Sequence, residues 1–242
     1  MFGDPKEDKT AYVRAMFAAI ADRYDLINSL LSFRRDRSWR RFAASRSSIR
    51  PGGLVLDIAT GTGELARHLS QSNCGATIVG VDFCPDMLLK ARGKLASFEG
   101  NVVQLVLGDA LKLPFSDSIF DSVTIGFALR NVADLDTAFS EIARVVKPGG
   151  RVVSLELSRP SFIPIRKLYN FLLFRIAPRL GGMMSGSRAA YTYLPDSIME
   201  FPIPEQVKET MEKAGLCKVD IHRLTLGIAA VHVAAKPETS SY

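Results

Sequence analysis

The sequence is poor in cysteine and has no long apolar run, and these shortages exclude several classes of protein. Its three cysteines, Cys74, Cys84 and Cys217, are widely spaced and form no CxxC pair, so we expect neither a disulfide framework nor a zinc site. No stretch of about 18 apolar residues occurs, so we expect no membrane-spanning helix. Residues 1–25 are charged throughout and lack the apolar core of a secretory signal. Together these shortages predict a cytoplasmic protein with reduced thiols.

The composition is otherwise that of a globular chain. The 242 residues are 47% hydrophobic and 23% charged, which suits one large α/β domain or two small ones. The net charge of +6 is unevenly distributed, because residues 1–50 carry +5, residues 51–156 carry −3, and residues 157–195 carry +6 without any acidic residue. Such asymmetry is typical of proteins that contact nucleic acid or an anionic membrane. A solvated basic surface explains it equally well, so charge alone leaves the partner open.

Short apolar runs alternate with helical periodicity through the middle of the chain. Strands are predicted over residues 54–59, 77–81, 102–107, 122–127 and 151–157, and helices over residues 64–72, 87–95 and 134–146. This alternation indicates a parallel sheet covered by helices on both faces. A last helix, over residues 204–214, precedes two strands over residues 217–226 and 228–236. Only Gly227 separates these strands, which favours an antiparallel pair.

Two further regions complete the chain. Residues 10–22 and 26–48 show mainly helical spacing, and residues 160–200 are apolar and basic with scattered glycine and proline. We expect one domain over residues 1–242, in which the N-terminal helices (residues 1–50) and the 160–200 insertion pack over the sheet.

The first predicted strand runs into a glycine-containing turn, Asp57-Ile58-Ala59-Thr60-Gly61-Thr62-Gly63. Gly61 and Gly63 permit a tight turn and the close approach of a ligand to the N-terminus of the following helix. By itself this pattern fits NAD-dependent enzymes equally well.

Acidic residues stand at the carboxyl ends of three consecutive predicted strands, at Asp57, Asp82 and Asp109. Any one of them alone is explained as a helix cap or a turn residue. Ligands of open α/β sheets bind at these strand ends, so the coincidence of three predicts a binding site. We expect Asp82 to accept the hydroxyls of a ribose, and Asp109 to bind an adenine amino group beside a backbone N–H. Asp57 would repel a pyrophosphate and attract a cationic sulfonium.

At this point the sequence resembles the class I S-adenosylmethionine-dependent methyltransferases. Over nearly its whole length it is similar to the C-methyltransferases of menaquinone and ubiquinone biosynthesis, the UbiE/MenG family. The most specific matching segments are Arg23-Tyr24-Asp25-Leu26-Ile27-Asn28 and Gly126-Phe127-Ala128-Leu129-Arg130-Asn131-Val132. Other matching segments are Leu31-Ser32-Phe33, Trp39-Arg40, Leu113-Pro114-Phe115, Arg144-Val145-Val146-Lys147-Pro148-Gly149-Gly150, Leu155-Glu156 and Tyr191-Thr192-Tyr193-Leu194. The family often has glycine in place of Ala128, aspartate in place of Glu64 and asparagine in place of Asp109, and these differences leave the quinone open.

The resemblance implies a Rossmann-like, mostly parallel seven-stranded sheet with an antiparallel last strand and helices on both faces. It also implies methyl transfer from S-adenosylmethionine to a ring carbon of a demethylated polyprenyl quinol, in first place demethylmenaquinol. A benzoquinol of the ubiquinone pathway, another small molecule or RNA remain as alternative acceptors. RNA is disfavoured, because the sequence has neither a catalytic-cysteine motif nor an Asn-Pro-Pro-Tyr-type turn. A non-enzymatic nucleotide-binding protein of the same fold is a further alternative.

The resemblance and the strand ends together give the candidate site. S-adenosylmethionine is expected to be bound by Asp57, Gly61, Thr62, Gly63, Asp82, Asp109, Ala110 and Gly126. The expected catalytic residues are Arg130, Asn131 and Tyr24. Arg130 would stabilise a phenolate, Asn131 would orient the ring or a water, and Tyr24 would form part of a lid with Asp25. The alternatives are a structural salt bridge for Arg130, a turn for Asn131 and a helix cap for Asp25. No ligand cluster suggests a metal, and His232 is expected to pack in the core or at a sheet edge.

A polyprenyl substrate gives a meaning to the uneven charge. Its tail resides in lipid, so the enzyme must reach a membrane surface. Residues 162–188 have the composition of an interfacial segment. They interleave Phe162, Ile165, Tyr169, Phe171, Leu172, Phe174 and Met183 with Arg166, Lys167, Arg175, Arg179 and Arg188. We therefore expect transient contact with an anionic membrane at its inner face and no nucleic acid partner. Ordinary packing of this segment and a homodimer remain open.

Overall fold

The computed structural model describes residues 5–72, 75–96, 103–176, 178–179 and 188–238. These residues contain one seven-stranded sheet, formed by β1 (Leu54–Ile58), β2 (Thr77–Asp82), β3 (Val103–Leu107), β4 (Phe120–Gly126), β5 (Val146–Leu157), β6 (Cys217–Leu224) and β7 (Ala229–Ala235). Across the sheet the order is β3-β2-β1-β4-β5-β7-β6. The pairings among β1 to β5 are parallel, and β7 is antiparallel to both β5 and β6. The predicted mostly parallel sheet with an antiparallel last strand is confirmed.

Helices flank the sheet and precede it. They are α1 (Pro5–Ile20), α2 (Tyr24–Leu31), α3 (Arg35–Arg46), α4 (Glu64–Ser72), α5 (Pro85–Leu95), α6 (Leu135–Val145), α7 (Ile163–Phe171), α8 (Arg188–Glu200) and α9 (Pro204–Lys213). A π-helical turn, Leu172–Ile176, follows α7 directly. The four helices predicted after β1, after β2, after β4 and after the 160–200 insertion are confirmed. They are α4, α5, α6 and α9, respectively.

The helical spacing over residues 26–48 corresponds to two helices with a break between them. Phe33 and Arg34 have positive φ values of 50° and 61°, which end α2. Their backbone N–H groups donate to the carbonyls of Leu30 and Ser29. The Ser32 hydroxyl accepts the N–H of Asp36 in the first turn of α3. Because the apolar spacing continues across this break, the sequence pattern does not reveal it.

The start of the fifth strand differs from the sequence-based expectation, and the start of the third cannot be compared with it. The fifth strand was expected to start at residue 151, but β5 begins at Val146, which pairs with Phe120. The turn expected at residues 147–150 lies within β5 and corresponds to an irregularity in the pairing of β5 with β4. Gly149 has a φ of 73° there. The third strand was expected to start at residue 102, which lies outside the described residues.

The core lies on both faces of the sheet, as alternation of side chains along the strands dictates. On one face, Leu56 and Ile58 pack in a buried cluster that includes Phe139 of α6 and Met211 of α9. On the other face, Val55 packs in a second cluster with residues of α3 and α4, namely Trp39, Ala43, Leu65 and Leu69. The predicted coverage of both faces by helices is confirmed.

The N-terminal helices form a cover that contacts α5 and α8. Met16 and Ile20 of α1 and Ile27 of α2 form a small cluster against Tyr193 of α8. A second cluster joins Ala21 to Cys84 and to Met87 of α5. The cover thus lies near the carboxyl ends of the first strands, where a ligand of this fold binds.

Two further expectations concern the cysteines, predicted to be reduced, and the membrane-spanning helix, predicted to be absent. Cys84 and Cys217 are free thiols, while Cys74 lies outside the described residues. Across the described ranges, no helix reaches the length and hydropathy that crossing a membrane requires.

Candidate active site

A cleft lies beneath the cover. It has a volume of about 800 Å³, including the part open to solvent, which is enough for a nucleoside-sized ligand. Its lining includes Ala59 and Gly61 after β1, Asp82 at the end of β2, and Gly126 at the end of β4. The cover contributes Thr10, Val13 and Phe17 of α1 and Tyr24 of α2. The cleft is therefore placed where sequence reasoning expected the ligand, but sequence reasoning missed the three residues of α1.

Asp82 connects the second strand to the glycine turn. Its carboxylate accepts the backbone N–H of Gly61 at 2.8 Å and that of Cys84 at 2.9 Å. The side chain is buried, and burial raises the pKa of its carboxyl above the usual range. Asp82 thus lines the cleft as a carboxylate that backbone donors hold in place, as a ribose-binding residue requires.

Asp57 lies below the cleft and does not line it. Its carboxylate is 1% exposed and accepts the hydroxyls of Thr60 and Thr124, both at 2.7 Å. Burial raises the pKa of Asp57 from its ordinary value of 3.8 to about 6, and the neighbouring charge of Asp82 also raises it. Two buried carboxylates thus lie near each other next to the cleft, and they favour a cationic ligand.

The two glycines of the turn have different functions. A Cβ at Gly61 would meet only the Ala59 carbonyl, at 4.0 Å, so this position is open on its side-chain side. A Cβ at Gly63 would lie 2.9 Å from Cδ1 of Leu95. Gly63 is absent from the cleft lining and allows α4 to pack closely against α5. Gly63 therefore has a packing role, and its contact with a cofactor stays a prediction.

The side chain of Thr62 contacts the cover, whereas the sequence predicted a direct contact with the cofactor. Its hydroxyl points to the cover and donates to the Asp25 carboxylate at 2.7 Å. Lys94 of α5 donates to the same carboxylate at 2.5 Å and to Glu64 at 2.8 Å. Asp25 thus attaches α2 to the glycine turn and to α5. Its contacts favour the predicted lid over the alternative of a helix cap.

Asp109, Ala110 and Gly126 line the cleft as expected. The exposed Asp109 carboxylate also accepts the N–H of Leu111 at 2.9 Å, so this residue serves a turn as well. A Cβ at Gly126 would approach Cδ2 of Leu65 to 3.0 Å, which explains the glycine at this strand end by packing.

A second, smaller cavity adjoins the cleft. Its volume is about 330 Å³, including the part open to solvent, and it shares Phe17, Tyr24 and Asn131 with the cleft. The rest of its lining consists of Met16, Ile20, Asn28, Arg130, Tyr193 and Leu194. The candidate catalytic residues therefore converge here, since all three line this cavity. Tyr193 was not predicted as a site residue, because its segment was noted only as a family match.

Arg130 forms the salt bridge that was its structural alternative, yet it also lines the second cavity. Its Nη1 donates to the Glu156 carboxylate at 2.6 Å and to the Phe127 carbonyl at 2.7 Å. Both side chains of the ion pair are buried, at 7% and 2% exposure. The charge of Glu156 raises the pKa of the Arg130 guanidinium, although burial opposes this effect. The pair therefore places a permanent positive charge at the cavity wall.

Three polar atoms of this cavity wall are buried and have no hydrogen-bond partner. They are Nε of Arg130, Oδ1 of Asn131 and the hydroxyl oxygen of Tyr193. Buried polar atoms normally have partners, so these three atoms have hydrogen-bonding capacity that a polar ligand or a water can complete. The apolar part of the wall, including Met16, Phe17 and Ile20, suits the faces of a ring.

Other candidate groups contribute nothing to this site. His232 of β7 is buried, and its Nε2 lies 2.9 Å from the Pro204 carbonyl oxygen, so it is a core histidine as expected. Among the described residues, no three acidic, histidine or cysteine side chains are grouped as metal ligands would be.

Comparison with known proteins identifies the family. Residues 5–236 match the ubiE/COQ5 methyltransferase family. A demethylmenaquinone methyltransferase of Thermus thermophilus is 46% identical over 92% of this chain and 100% of its own length. The ubiquinone/menaquinone biosynthesis C-methyltransferase UbiE of Geotalea daltonii is 42% identical over 95% of this chain and 98% of its own length. The chain belongs to the ubiE/COQ5 methyltransferase family.

A solved structure shares the fold. A Haemonchus contortus phosphoethanolamine N-methyltransferase, solved in complex with S-adenosylmethionine, superposes with a TM-score of 0.60 at 18% identity, covering 82% of this chain and 52% of that one. The enzyme is an S-adenosylmethionine-dependent methyltransferase, and its residues fit this cofactor. The buried carboxylates of Asp57 and Asp82 suit a cation, and the open side of Gly61 leaves room for it.

Proposed function

We propose that the enzyme methylates a ring carbon of a demethylated polyprenyl quinol, with demethylmenaquinol as the first candidate. The observation that carries the proposal is the second cavity beside the cleft, whose lining combines apolar side chains with Arg130, Asn131 and Tyr193, each of which has an unpartnered polar atom. A hydroquinone ring has two apolar faces and oxygens at its edge, which matches this lining. The relatives act in menaquinone and ubiquinone biosynthesis by their names, so a benzoquinol is the second candidate.

The residues of the cleft would hold the cofactor. We propose that Asp82 accepts the ribose hydroxyls, that Asp109 and the backbone of Ala110 bind the adenine, and that Gly61 and Gly126 allow close approach. Asp57 would act through its charge from beneath the glycine turn. When bound, S-adenosylmethionine supplies a methyl group on a positively charged sulfur.

The residues of the second cavity would prepare the acceptor. The guanidinium of Arg130 favours ionisation of a ring hydroxyl, because it stabilises the resulting phenolate. The hydroxyl proton would pass to water, and ionisation makes the neighbouring ring carbon nucleophilic. That carbon would form the new bond to the methyl group as the bond between methyl and sulfur breaks, so that neutral S-adenosylhomocysteine is left. The proton of the ring carbon would then pass to water, which restores the aromatic ring as a phenolate. Asn131 and Tyr24 border both cavities and would orient the ring toward the cleft.

The acceptor is tested with a panel of reduced quinols. The enzyme is incubated with S-adenosylmethionine and short-chain demethylated naphthoquinols or benzoquinols, and the products are analysed by tandem mass spectrometry. We expect a methyl group on a ring carbon, with naphthoquinol as the better acceptor. Omission of the cofactor is the control. Methylation of oxygen, or of no quinol at all, would contradict the proposal, and methylation of benzoquinol alone would support the second candidate.

We also propose that α7 and the following turn contact an anionic membrane. No residue of α7 is buried, and the segment exposes Phe162, Ile163, Leu168, Phe171 and Phe174. Arg166, Lys167 and Arg175 are exposed among them, and each basic residue near an anionic surface contributes about 1 kcal/mol. Met183, which was predicted to belong to this surface, lies outside the described residues. An exposed apolar and basic surface of this kind suits reversible binding to lipid.

Vesicle co-sedimentation tests this membrane contact. Binding should require anionic lipid and weaken as salt rises, because the Debye length shortens. Replacing Arg166, Lys167 and Arg175 together by glutamate should reduce binding to the vesicles and leave the affinity for S-adenosylmethionine unchanged. The matched control replaces Lys208, Lys213 and Lys218 by glutamate, which changes the net charge equally in the part of the chain after α8. Equal loss of binding in both variants would show that net charge, and not this surface, governs the interaction.

The single domain, the cytoplasmic location and a homodimer remain proposals.

A further inference from the structure

We propose that Tyr193 is a further catalytic residue, whose hydroxyl donates a hydrogen bond to an oxygen of the acceptor ring. This inference rests on the proposed function, because it assigns a contact with the acceptor of that reaction. Neither the strand ends nor the spacing of the acidic residues pointed to α8, which enters the site from far along the chain.

The surroundings of Tyr193 hold its ring and give its hydroxyl no hydrogen-bond partner. The ring meets Tyr12 edge-on, with the centroids 5.9 Å apart, and packs against Met16, Ile20 and Ile27. The hydroxyl oxygen is buried and has no partner, although the residue lines the second cavity. A held ring with an unpartnered hydroxyl is arranged for a ligand, because only a ligand or a water in the cavity can complete its hydrogen bonding.

The neighbouring polar atoms indicate what kind of ligand this is. Nε of Arg130 is a donor, Oδ1 of Asn131 is an acceptor, and the Tyr193 hydroxyl can act as either. An apolar ligand would leave all three atoms without partners. A ring that carries two hydroxyl groups can satisfy them, since each hydroxyl both donates and accepts.

The charge of the cavity sets the direction of the Tyr193 hydrogen bond. Burial raises the pKa of the Tyr193 hydroxyl above its usual range, and Arg130 only partly opposes this effect. Tyr193 therefore stays protonated at neutral pH and donates. Its proton remains on tyrosine throughout methyl transfer, while Arg130 and Tyr193 together stabilise the phenolate oxygen of the acceptor.

The test compares the parent enzyme with the Tyr193→Phe variant, using a short-chain demethylated naphthoquinol. Loss of one donor to a developing oxyanion lowers kcat by about 10²-fold in other enzymes, and we expect a loss of this order. The apparent pKa in the kcat profile should rise, because the phenolate is less stabilised. The S-adenosylmethionine affinity and the melting temperature without ligands should stay unchanged, since the hydroxyl has no partner in the fold.

Tyr12→Phe is the matched control, because Tyr12 touches the ring of Tyr193 but lines neither cavity. It should keep the parental kcat and pH profile. The Tyr193 assignment is overturned if Tyr193→Phe keeps both as well, or if it melts earlier than the parent. If the parent methylates no quinol, the proposed function itself fails, and that result is distinct from a parental rate in Tyr193→Phe.

Discussion

Replacement of Asp57 by asparagine should make the protein more stable and its cofactor binding weaker. Asp57 is a buried carboxylate that accepts hydrogen bonds from Thr60 and Thr124. Asparagine has nearly the same shape and keeps one acceptor, but it carries no charge. The variant therefore isolates the effect of the charge from the effect of the packing.

The magnitude follows from the pKa of Asp57, which burial raises from 3.8 to about 6. This displacement corresponds to about 3 kcal/mol of destabilisation at neutral pH. Between about pH 4 and pH 6 the folded state holds a proton that the unfolded state has released, so stability falls as pH rises through this window. The asparagine side chain cannot titrate, so this decrease should be absent from the variant. Its gain above pH 7 should stay below 3 kcal/mol, because one hydrogen bond to the carboxylate is weakened.

Urea unfolding at a series of pH values from 4 to 8 measures this difference. Asp220→Asn, which changes an exposed carboxylate on β6, serves as the control and should follow the parent. Calorimetry should show weaker binding of S-adenosylmethionine to Asp57→Asn, because the cationic sulfur loses an attractive charge. Parallel pH profiles for the parent and Asp57→Asn would refute the argument, and so would unchanged cofactor affinity.

Three further substitutions test other parts of the site. Asp82→Ala should weaken cofactor binding by about 1.5–3 kcal/mol, as loss of a charge-assisted hydrogen bond does, and unchanged affinity by calorimetry would exclude the ribose contact. Arg130→Ala should lower turnover far more than cofactor affinity. It should also destabilise the fold by about 3–5 kcal/mol in urea unfolding, because Glu156 stays buried without its partner; equal losses of turnover and affinity would give Arg130 a purely structural role. Gly63→Ala should cost about 1–3 kcal/mol of stability, because its Cβ would contact Leu95 and because the φ of +80° at this position is strained for alanine; an unchanged midpoint of urea unfolding would contradict both effects.

The sheet was predictable because most of its strands contain a short apolar run between turn signals. The alternation of strands and helices after Pro51 requires a parallel sheet, and the adjacent last two strands favour an antiparallel pair. The break between α2 and α3 was not predictable in the same way. It depends on backbone conformation at Phe33 and Arg34, two residue types that carry no turn signal.

The convergence of the strand-end residues on the cleft was predictable for a similar reason, since parallel strands bring their carboxyl ends to one edge. Asp82 and Asp109 follow neighbouring strands, so their convergence needs only the strand order. Thr62 and Gly63 show the limit of this logic, because adjacent residues of one turn point to different neighbours. Tyr193 was out of reach, since the packing of α8 against the cover is a tertiary contact without a local sequence signal.

The two adjoining cavities differ in charge, and this difference suits the proposed reaction. The carboxylates of Asp57 and Asp82 lie by the cleft, whereas Arg130 lines the second cavity and its partner Glu156 does not. The ion pair thus presents its positive end to the acceptor. A cationic donor and an anionic acceptor are each attracted to their own cavity, and Tyr24 and Asn131 lie where the two meet. Methyl transfer leaves a neutral sulfur on the donor, so the attraction of the donor to the carboxylates of the cleft is lost at that step. Loss of the ring proton restores a phenolate beside Arg130. The charges of the cleft therefore favour release of the spent donor, whereas release of the methylated ring requires protonation of its oxygen.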